Sequence, residues 1–200
     1  MPNWCNNNIS ITGPIAKIAP MFKAATQDAD DETGLLDFMC PMPKALHDTE
    51  APSRASEEEQ AALREKYGDT DWYSWRVSHW GTKWEVSSEG LEYSEDTDNG
   101  TAEITGWFDS AWAPPITAMA TYGEANPDVK IVLDYHEPGM VFVGRATIED
   151  GEVDDLYYDY GEANSKTVRD LIGEEMDDMW CISENMAEWE EDNLEMDDGA

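Results

Sequence analysis

One stretch in the second half of the chain restricts the fold more than any other. Apolar residues alternate with polar ones in Thr101–Asp109 and Val129–Tyr135, and a period of two is typical of strands with one buried face. Met140–Ile148 and Val153–Tyr160 are two further predicted strands, joined by a hairpin signal at Asp150-Gly151. Between the first two runs, Ile116–Gly123 has helical spacing and follows two prolines, which suit the first turn of a helix. We therefore expect a strand, a helix and a three-stranded meander on which the rest of the chain packs.

The first forty residues predict a smaller set of elements. Asn6–Gly13 alternates like a strand, and Ile15–Phe22 has helical spacing that Pro20 is expected to kink or interrupt. Asp28–Gly34 has the composition of an acidic turn. Leu35–Met39 is apolar enough for a short buried strand.

Residues 44–81 read as a helical insertion. Ser56 and Glu59 have capping-box spacing at the start of a helix that Gly68 should end. A second helix should run from a cap at Asp71 to Gly81. Without this insertion and the last strands, the order is βαββαβ, which is the plan of a ferredoxin-like α+β fold. The predicted core, residues 1–163, is then an antiparallel sheet with helices on one face.

After residue 163 the composition changes. Residues 164–200 predict an acidic C-terminal helix with an apolar stripe on one side and a frayed end from Asn193 onward. No basic residue follows Arg169. The acidic residues repeat along the side opposite the apolar stripe, so the helix would present them to solvent.

The charge of the chain restricts its partners. Its 45 acidic and 12 basic residues give a net charge of −33, and residues 146–200 contain 20 of the acids but only 2 of the bases. Such a chain repels duplex DNA, RNA and anionic membranes, so basic protein surfaces or cations are the expected partners. Halophilic adaptation or general solubility is the competing explanation, although it would spread the charge more evenly.

Motifs for chemistry or for a membrane are not found in the sequence. It has no apolar run long enough to span a bilayer and no signal peptide pattern. Cys5, Cys40 and Cys181 are far apart, which argues against a disulfide framework and favours the cytoplasm. The three histidines are scattered without zinc-ligand spacing, and no nucleophile, phosphate-loop or dinucleotide motif occurs. We therefore expect no cofactor, no metal and no enzymatic activity.

Five motifs occur in order along the chain, at Pro2–Asn7, Pro41–Lys44, Trp80–Glu85, Ser110–Pro115 and Glu137–Gly144. Together they resemble the YubB-like family of bacteriophage and conjugative-plasmid proteins. The resemblance covers residues 1 to about 160 and implies a ferredoxin-like domain of unsettled function in a bacterial host cytoplasm. The family usually has Asp where this chain has Glu85, and the acidic C-terminal segment is outside its pattern.

The sharpest of these motifs is one candidate binding site. Trp80 should end a helix at Gly81, and Lys83 and Trp84 should point to opposite sides of an extended segment. Two indoles flanking a cation could stack a base and hold a phosphate, which would suit a nucleotide or a single strand. The competing interpretation is that both indoles belong to the core and Lys83 pairs with a carboxylate.

The acidic C-terminal segment is the other candidate. Nine acidic residues between Glu174 and Asp192 would spread over about 27 Å of one helix, or one charge per roughly 3 Å, near the ~3.4 Å spacing along one DNA strand. The main functional hypothesis is therefore a DNA-mimic inhibitor that binds the basic surface of a host defence or nucleic-acid enzyme. The alternatives are nucleic-acid binding through Trp80–Trp84 and an unassigned enzyme. The predicted binding carboxylates are Glu174, Glu175, Asp177, Asp178, Glu188, Glu190, Glu191 and Asp192.

Overall fold

The fold is centred on one six-stranded antiparallel sheet with the strand order β2-β3-β1-β4-β5-β6. The computed structural model describes residues 3–27 and 34–197, with side chains up to Asn193. The predicted acidic turn at Asp28–Gly34 lies outside these residues except for its last glycine. The strands are β1 Trp4–Pro14, β2 Leu91–Asp96, β3 Thr101–Ala111, β4 Lys130–Glu137, β5 Phe142–Glu149 and β6 Glu152–Asp159.

Nine helices are described within the same residues. They are α1 Ile15–Thr26, α2 Leu35–Met39, α3 Lys44–His47, α4 Glu57–Tyr67, α5 Trp72–Trp80, α6 Ile116–Ala125, α7 Val168–Ile172, α8 Glu174–Trp180 and α9 Ile182–Asp197. The elements β1, α1, β2, β3, α6 and β4 follow the βαββαβ order, and their strands lie in the order β2-β3-β1-β4. The predicted ferredoxin-like α+β fold is confirmed, with β5 and β6 extending the sheet beyond β4.

Local capping signals in the insertion predict its helices correctly. Ser56 and Glu59 form the expected reciprocal cap of α4, and Gly68 ends that helix at φ 84°. Asp71 accepts a hydrogen bond from the Ser74 backbone N–H at the start of α5, which Gly81 ends at φ 85°. Pro20, in contrast, does not divide α1, which continues to Thr26.

The prediction of a strand at Leu35–Met39 is wrong, since these residues form helix α2. The Glu85 carboxylate explains the difference, because it accepts hydrogen bonds from the Leu36 and Asp37 N–H groups at 2.8 and 2.9 Å. A carboxylate from 48 residues downstream therefore supplies the cap that the local sequence lacks. Burial raises the pKa of Glu85, because its effect is larger than that of the backbone hydrogen bonds, which lower the pKa. The sequence also favours an extended chain at Thr82–Val86 and at Leu91–Ser94. Residues 82–86 form no strand, whereas Leu91–Asp96 forms β2, the second strand of the βαββαβ order.

The main core lies between one sheet face and helices α1, α2, α5 and α6. Ile11, Ile104 and Leu133 on the strands are fully buried there, together with Ile18 of α1 and Met119 of α6. This alternation of buried and exposed positions is what the period-two pattern predicts. Helices thus cover this sheet face over the central strands, the opposite face is partly free, and β6 is exposed along most of its length.

The C-terminal segment, which follows the predicted core, packs on the opposite sheet face. Val168, Ile172, Met176 and Ile182 are buried against Val143 of β5 in a second apolar cluster. The segment is three helices rather than one, because the chain turns at positive φ at Gly173 (88°) and at Cys181 (52°). Helix α9 continues to Asp197, residues 198–200 lie outside the described part, and the frayed end stays a prediction.

Candidate binding surfaces

Trp80 belongs to the core, so the prediction that it is a binding residue is wrong. Its side chain is fully buried, and its indole Nε1–H donates to the Cys40 carbonyl at 2.7 Å. The Arg76 guanidinium lies 4.6 Å from the centre of its ring. A tryptophan with a satisfied N–H in this setting stabilises the fold and has no face left for a ligand.

Lys83 and Trp84 lie in a half-buried aromatic cluster, here called the Lys83 cluster. The Lys83 ammonium lies 4.5 Å from the ring centre of Trp84, 5.5 Å from that of Trp112 and 5.6 Å from that of Tyr73. Trp4 extends the cluster, with its ring centre 5.9 Å from that of Trp84. Within the described residues no carboxylate forms an ion pair with Lys83, so cation–π contacts hold the ammonium. The competing interpretation expected a carboxylate paired with Lys83, and no such pair is found among the described residues.

Four of the predicted acidic binding residues are bound to arginines of the same chain. Arg169 bonds Glu174, Asp177 and Asp178 at 2.9, 2.8 and 2.6 Å. Arg145 bonds Glu175 at 2.9 Å. These contacts neutralise part of the predicted array, and the bends at both ends of α8 remove its regular spacing. A continuous line of nine charges is therefore not formed.

Asp177 and Glu190 have structural roles. Asp177 is buried and accepts hydrogen bonds from the Ser183 N–H and hydroxyl, both at 2.7 Å. Burial alone would raise the pKa of Asp177, but the bonds from Ser183 and Arg169 outweigh it and lower the pKa. Glu190 accepts bonds from the Ser165 N–H and hydroxyl, which lower its pKa. Both carboxylates fix α9 in place and are unsuited to a partner.

The outward side of α9 carries the carboxylates that remain available. Glu184, Glu188, Glu191 and Asp192 are exposed and stand at i, i+4, i+7 and i+8, which places them on one side of a helix. None of the four forms an ion pair within the described part of the chain. Trp189 is 68% exposed and lies at the edge of this side, where it lines a cavity under α9 together with Ile182 and Met186. Its position could not be predicted, because its neighbours in the sequence indicate only charge.

An apolar cavity of about 490 Å³ lies under α9. His136 and Tyr160 form its polar floor, with 2.7 Å between His136 Nε2 and the Tyr160 hydroxyl oxygen. Burial lowers the pKa of His136 to about 4 and raises the pKa of Tyr160 to about 12. Both side chains are therefore neutral at physiological pH.

Among residues 3–27 and 34–197, no three His, Cys, Asp or Glu side chains come together as a possible metal site. The helices in those ranges also include none with the length and apolar character that crossing a bilayer requires.

The antiparallel sheet, its strand order and its helices define an α+β protein of the ferredoxin-like class. The family model for the ferredoxin-like domain in Api92-like protein matches residues 79–182, just over half of the chain. The chain therefore belongs to the Api92-like family.

Two further comparisons complete this result. The crystal structure of a protein api92 from Yersinia pseudotuberculosis is similar at 12% sequence identity with a TM-score of 0.46, covering 79% of this chain and 98% of that one. No curated protein matches the sequence. The phage and plasmid link implied by the YubB-like resemblance stays a prediction, as does the cytoplasmic location.

Proposed function

We propose that this protein acts without enzymatic chemistry and binds a positively charged surface of another protein through the outward side of α9. The observation that carries the proposal is the set of four exposed carboxylates on the outward side of a docked helix, with the exposed Trp189 at the edge of that side. A large exposed indole among charges is typical of an interface anchor, since tryptophan is enriched among the residues that dominate binding energy.

The charges give the proposed interface its kinetics and its specificity. Glu184, Glu188, Glu191 and Asp192 have no cation opposite them within the described residues, so a partner's lysines and arginines would supply it. Attraction between opposite charges speeds association, and repulsion between like charges excludes acidic partners. Salt screens both effects. Since Glu190 binds Ser165 and Ile182 is buried, α9 would dock as a rigid surface and lose little entropy on binding.

The spacing of these charges supports mimicry of nucleic acid over a shorter distance than the sequence suggested. Eight residue steps from Glu184 to Asp192 span about 12 Å of helix, which gives one charge per roughly 3–4 Å, near the ~3.4 Å of one DNA strand. The partner would then be a nucleic-acid-binding protein of a bacterial host, and this protein a mobile-element inhibitor of it.

The Lys83 cluster supports a second candidate function. An ammonium held by three rings and by no carboxylate could bind a phosphate while Trp112, 40% exposed, stacks a base. The net charge of −33 opposes this function. Quenching of tryptophan fluorescence by a short oligonucleotide at low salt, lost in Lys83→Met, would support it, and no quenching would exclude it.

Affinity capture from a bacterial lysate with a salt-gradient elution tests the main proposal. The triple variant E184Q/E188Q/E191Q should lose the captured protein at lower salt than the native chain, and Trp189→Ser should weaken capture as well. The matched control removes three exposed charges from α4, as E57Q/E58Q/E65Q. If both triple variants elute alike, or if capture survives both changes on α9, the proposal is wrong.

A further inference from the structure

A cavity of about 350 Å³ lies between the free sheet face and the end of α8. The register of β1 and β3 places Asn8 opposite Trp107 and Asn6 opposite Asp109. Met179 and Trp180, the last residues of α8, form the other side of the cavity. Two indoles, a carboxylate and two carboxamides thus surround one space.

The position of Trp107 is fixed although its side chain is 64% exposed. Its backbone N–H donates to the Gly90 carbonyl at 3.2 Å. A Cβ on Gly90 would lie 2.4 Å from the Trp107 carbonyl oxygen and 2.9 Å from Cε2 of its indole ring. The indole therefore lies directly across a glycine, which holds an exposed aromatic face in place before any ligand binds.

The polar groups of the cavity have capacity left for a ligand. The exposed Asp109 accepts one side-chain hydrogen bond, from Asn6 Nδ2 at 2.8 Å, and it forms no ion pair with any described residue. No lysine or arginine occurs between Lys83 and Lys130 in the sequence, so β2 and β3 contribute no cation of their own.

We infer that this cavity binds the guanidinium group of an arginine side chain. A planar guanidinium stacks on indole faces, and Asp109 would accept its N–H groups with a compensating charge. The carboxamide oxygens of Asn6 and Asn8 can accept further N–H bonds. A phosphate or carboxylate is disfavoured beside Asp109 because like charges repel. The inference rests on the proposed function only in taking the arginine from a protein partner.

N-acetyl-L-arginine amide is the probe, and N-acetyl-L-citrulline amide is its uncharged isostere. The indole N–H signals of Trp107 and Trp180 are observed in ¹⁵N-correlated spectra and assigned with the variants Trp107→Phe and Trp180→Phe. Both signals should shift as the arginine derivative is added, and the shifts should reach saturation. The citrulline derivative should bind at least tenfold more weakly. Asp109→Asn should weaken arginine binding at least tenfold, whereas Glu92→Gln, which removes a charge from the same sheet face, should change it less than twofold.

Gly90→Ala provides a second variant that leaves every charge in place. The added methyl group should displace the Trp107 ring and weaken arginine binding several-fold, with the remaining indole signals unchanged as a sign of an intact fold. Shifts that do not saturate, equal binding of citrulline, or equal effects of Asp109→Asn and Glu92→Gln would overturn the inference.

The two proposals fail in different ways. The α9 variant E184Q/E188Q/E191Q should leave arginine binding unchanged, because those residues do not line the cavity. If arginine binds but no capture depends on α9, the proposed function is contradicted and guanidinium binding in the cavity is supported. Capture that depends on α9 without indole shifts would contradict the cavity alone.

Discussion

Replacing Asp177 by Asn should loosen the attachment of the C-terminal helices to the sheet. Its carboxylate accepts the Ser183 N–H and hydroxyl and one Arg169 N–H within 2.8 Å, and the residue is only 2% exposed. Hydrogen bonds to charged groups contribute about 1.5–3 kcal/mol. Asn keeps the shape and part of the bonding, so we expect a loss of about 2–3 kcal/mol in the free energy of unfolding.

Urea denaturation followed by tryptophan fluorescence measures this loss. For a chain of this size the melting temperature should fall by about 5–10 °C. Asp178→Asn is the matched control, since Asp178 bonds the same Arg169 but its side chain is 61% exposed, and surface pairs contribute about 1 kcal/mol or less. Equal losses in the two variants would refute the structural role of Asp177.

Three further predictions follow from buried groups. Burial lowers the pKa of His136 from its ordinary 6.5 to about 4. As the pH falls from 6.5 towards 4, the imidazole is therefore protonated in the unfolded chain but not in the folded one, and the folded state loses stability. Between pH 7 and pH 5, the free energy of unfolding measured in urea should fall by about 2 kcal/mol more for the native chain than for His136→Gln. A thiol reagent should modify Cys181 alone in the folded protein and also Cys5 and Cys40 in urea, because those two are buried; rapid modification of more than one native thiol would contradict this. Glu85→Gln should lower the free energy of unfolding measured in urea by about 1–2 kcal/mol. The reason is that the glutamine NH2 group, a donor, would face the Asp37 N–H at the start of α2. An unchanged stability would show that the cap is dispensable.

The sequence predicted those elements whose signals are local. Alternation located β3 and β4, and the hairpin signal at Asp150-Gly151 located β5 and β6. Helix ends were marked by local capping residues, because capping depends on a few neighbours; these are Ser56, Gly68, Asp71 and Gly81. A short apolar run has no such signal. Leu35–Met39 is equally suited to a strand or a helix, and the cap that decides between them comes from distant Glu85.

The binding surfaces were predicted less well, because they depend on which side chains the fold brings together. The carboxylates of α8 were predicted to be free, but Arg145 and Arg169 bind them in the folded chain. Gly173 is a residue type that commonly ends a helix, whereas nothing in the sequence around Cys181 indicates its positive φ. The cavity between Trp107 and α8 joins segments about 70 residues apart in the sequence, so no local pattern could indicate it.

The central claim is that the exposed side of α9 binds a positively charged protein surface. Calorimetric titration of the captured partner at several salt concentrations tests this claim most directly. The native chain should bind strongly at low salt and progressively more weakly as salt rises, and E184Q/E188Q/E191Q should bind at least tenfold more weakly at low salt with a flatter salt dependence. An affinity that is independent of salt, or unchanged in that variant, would contradict the claim.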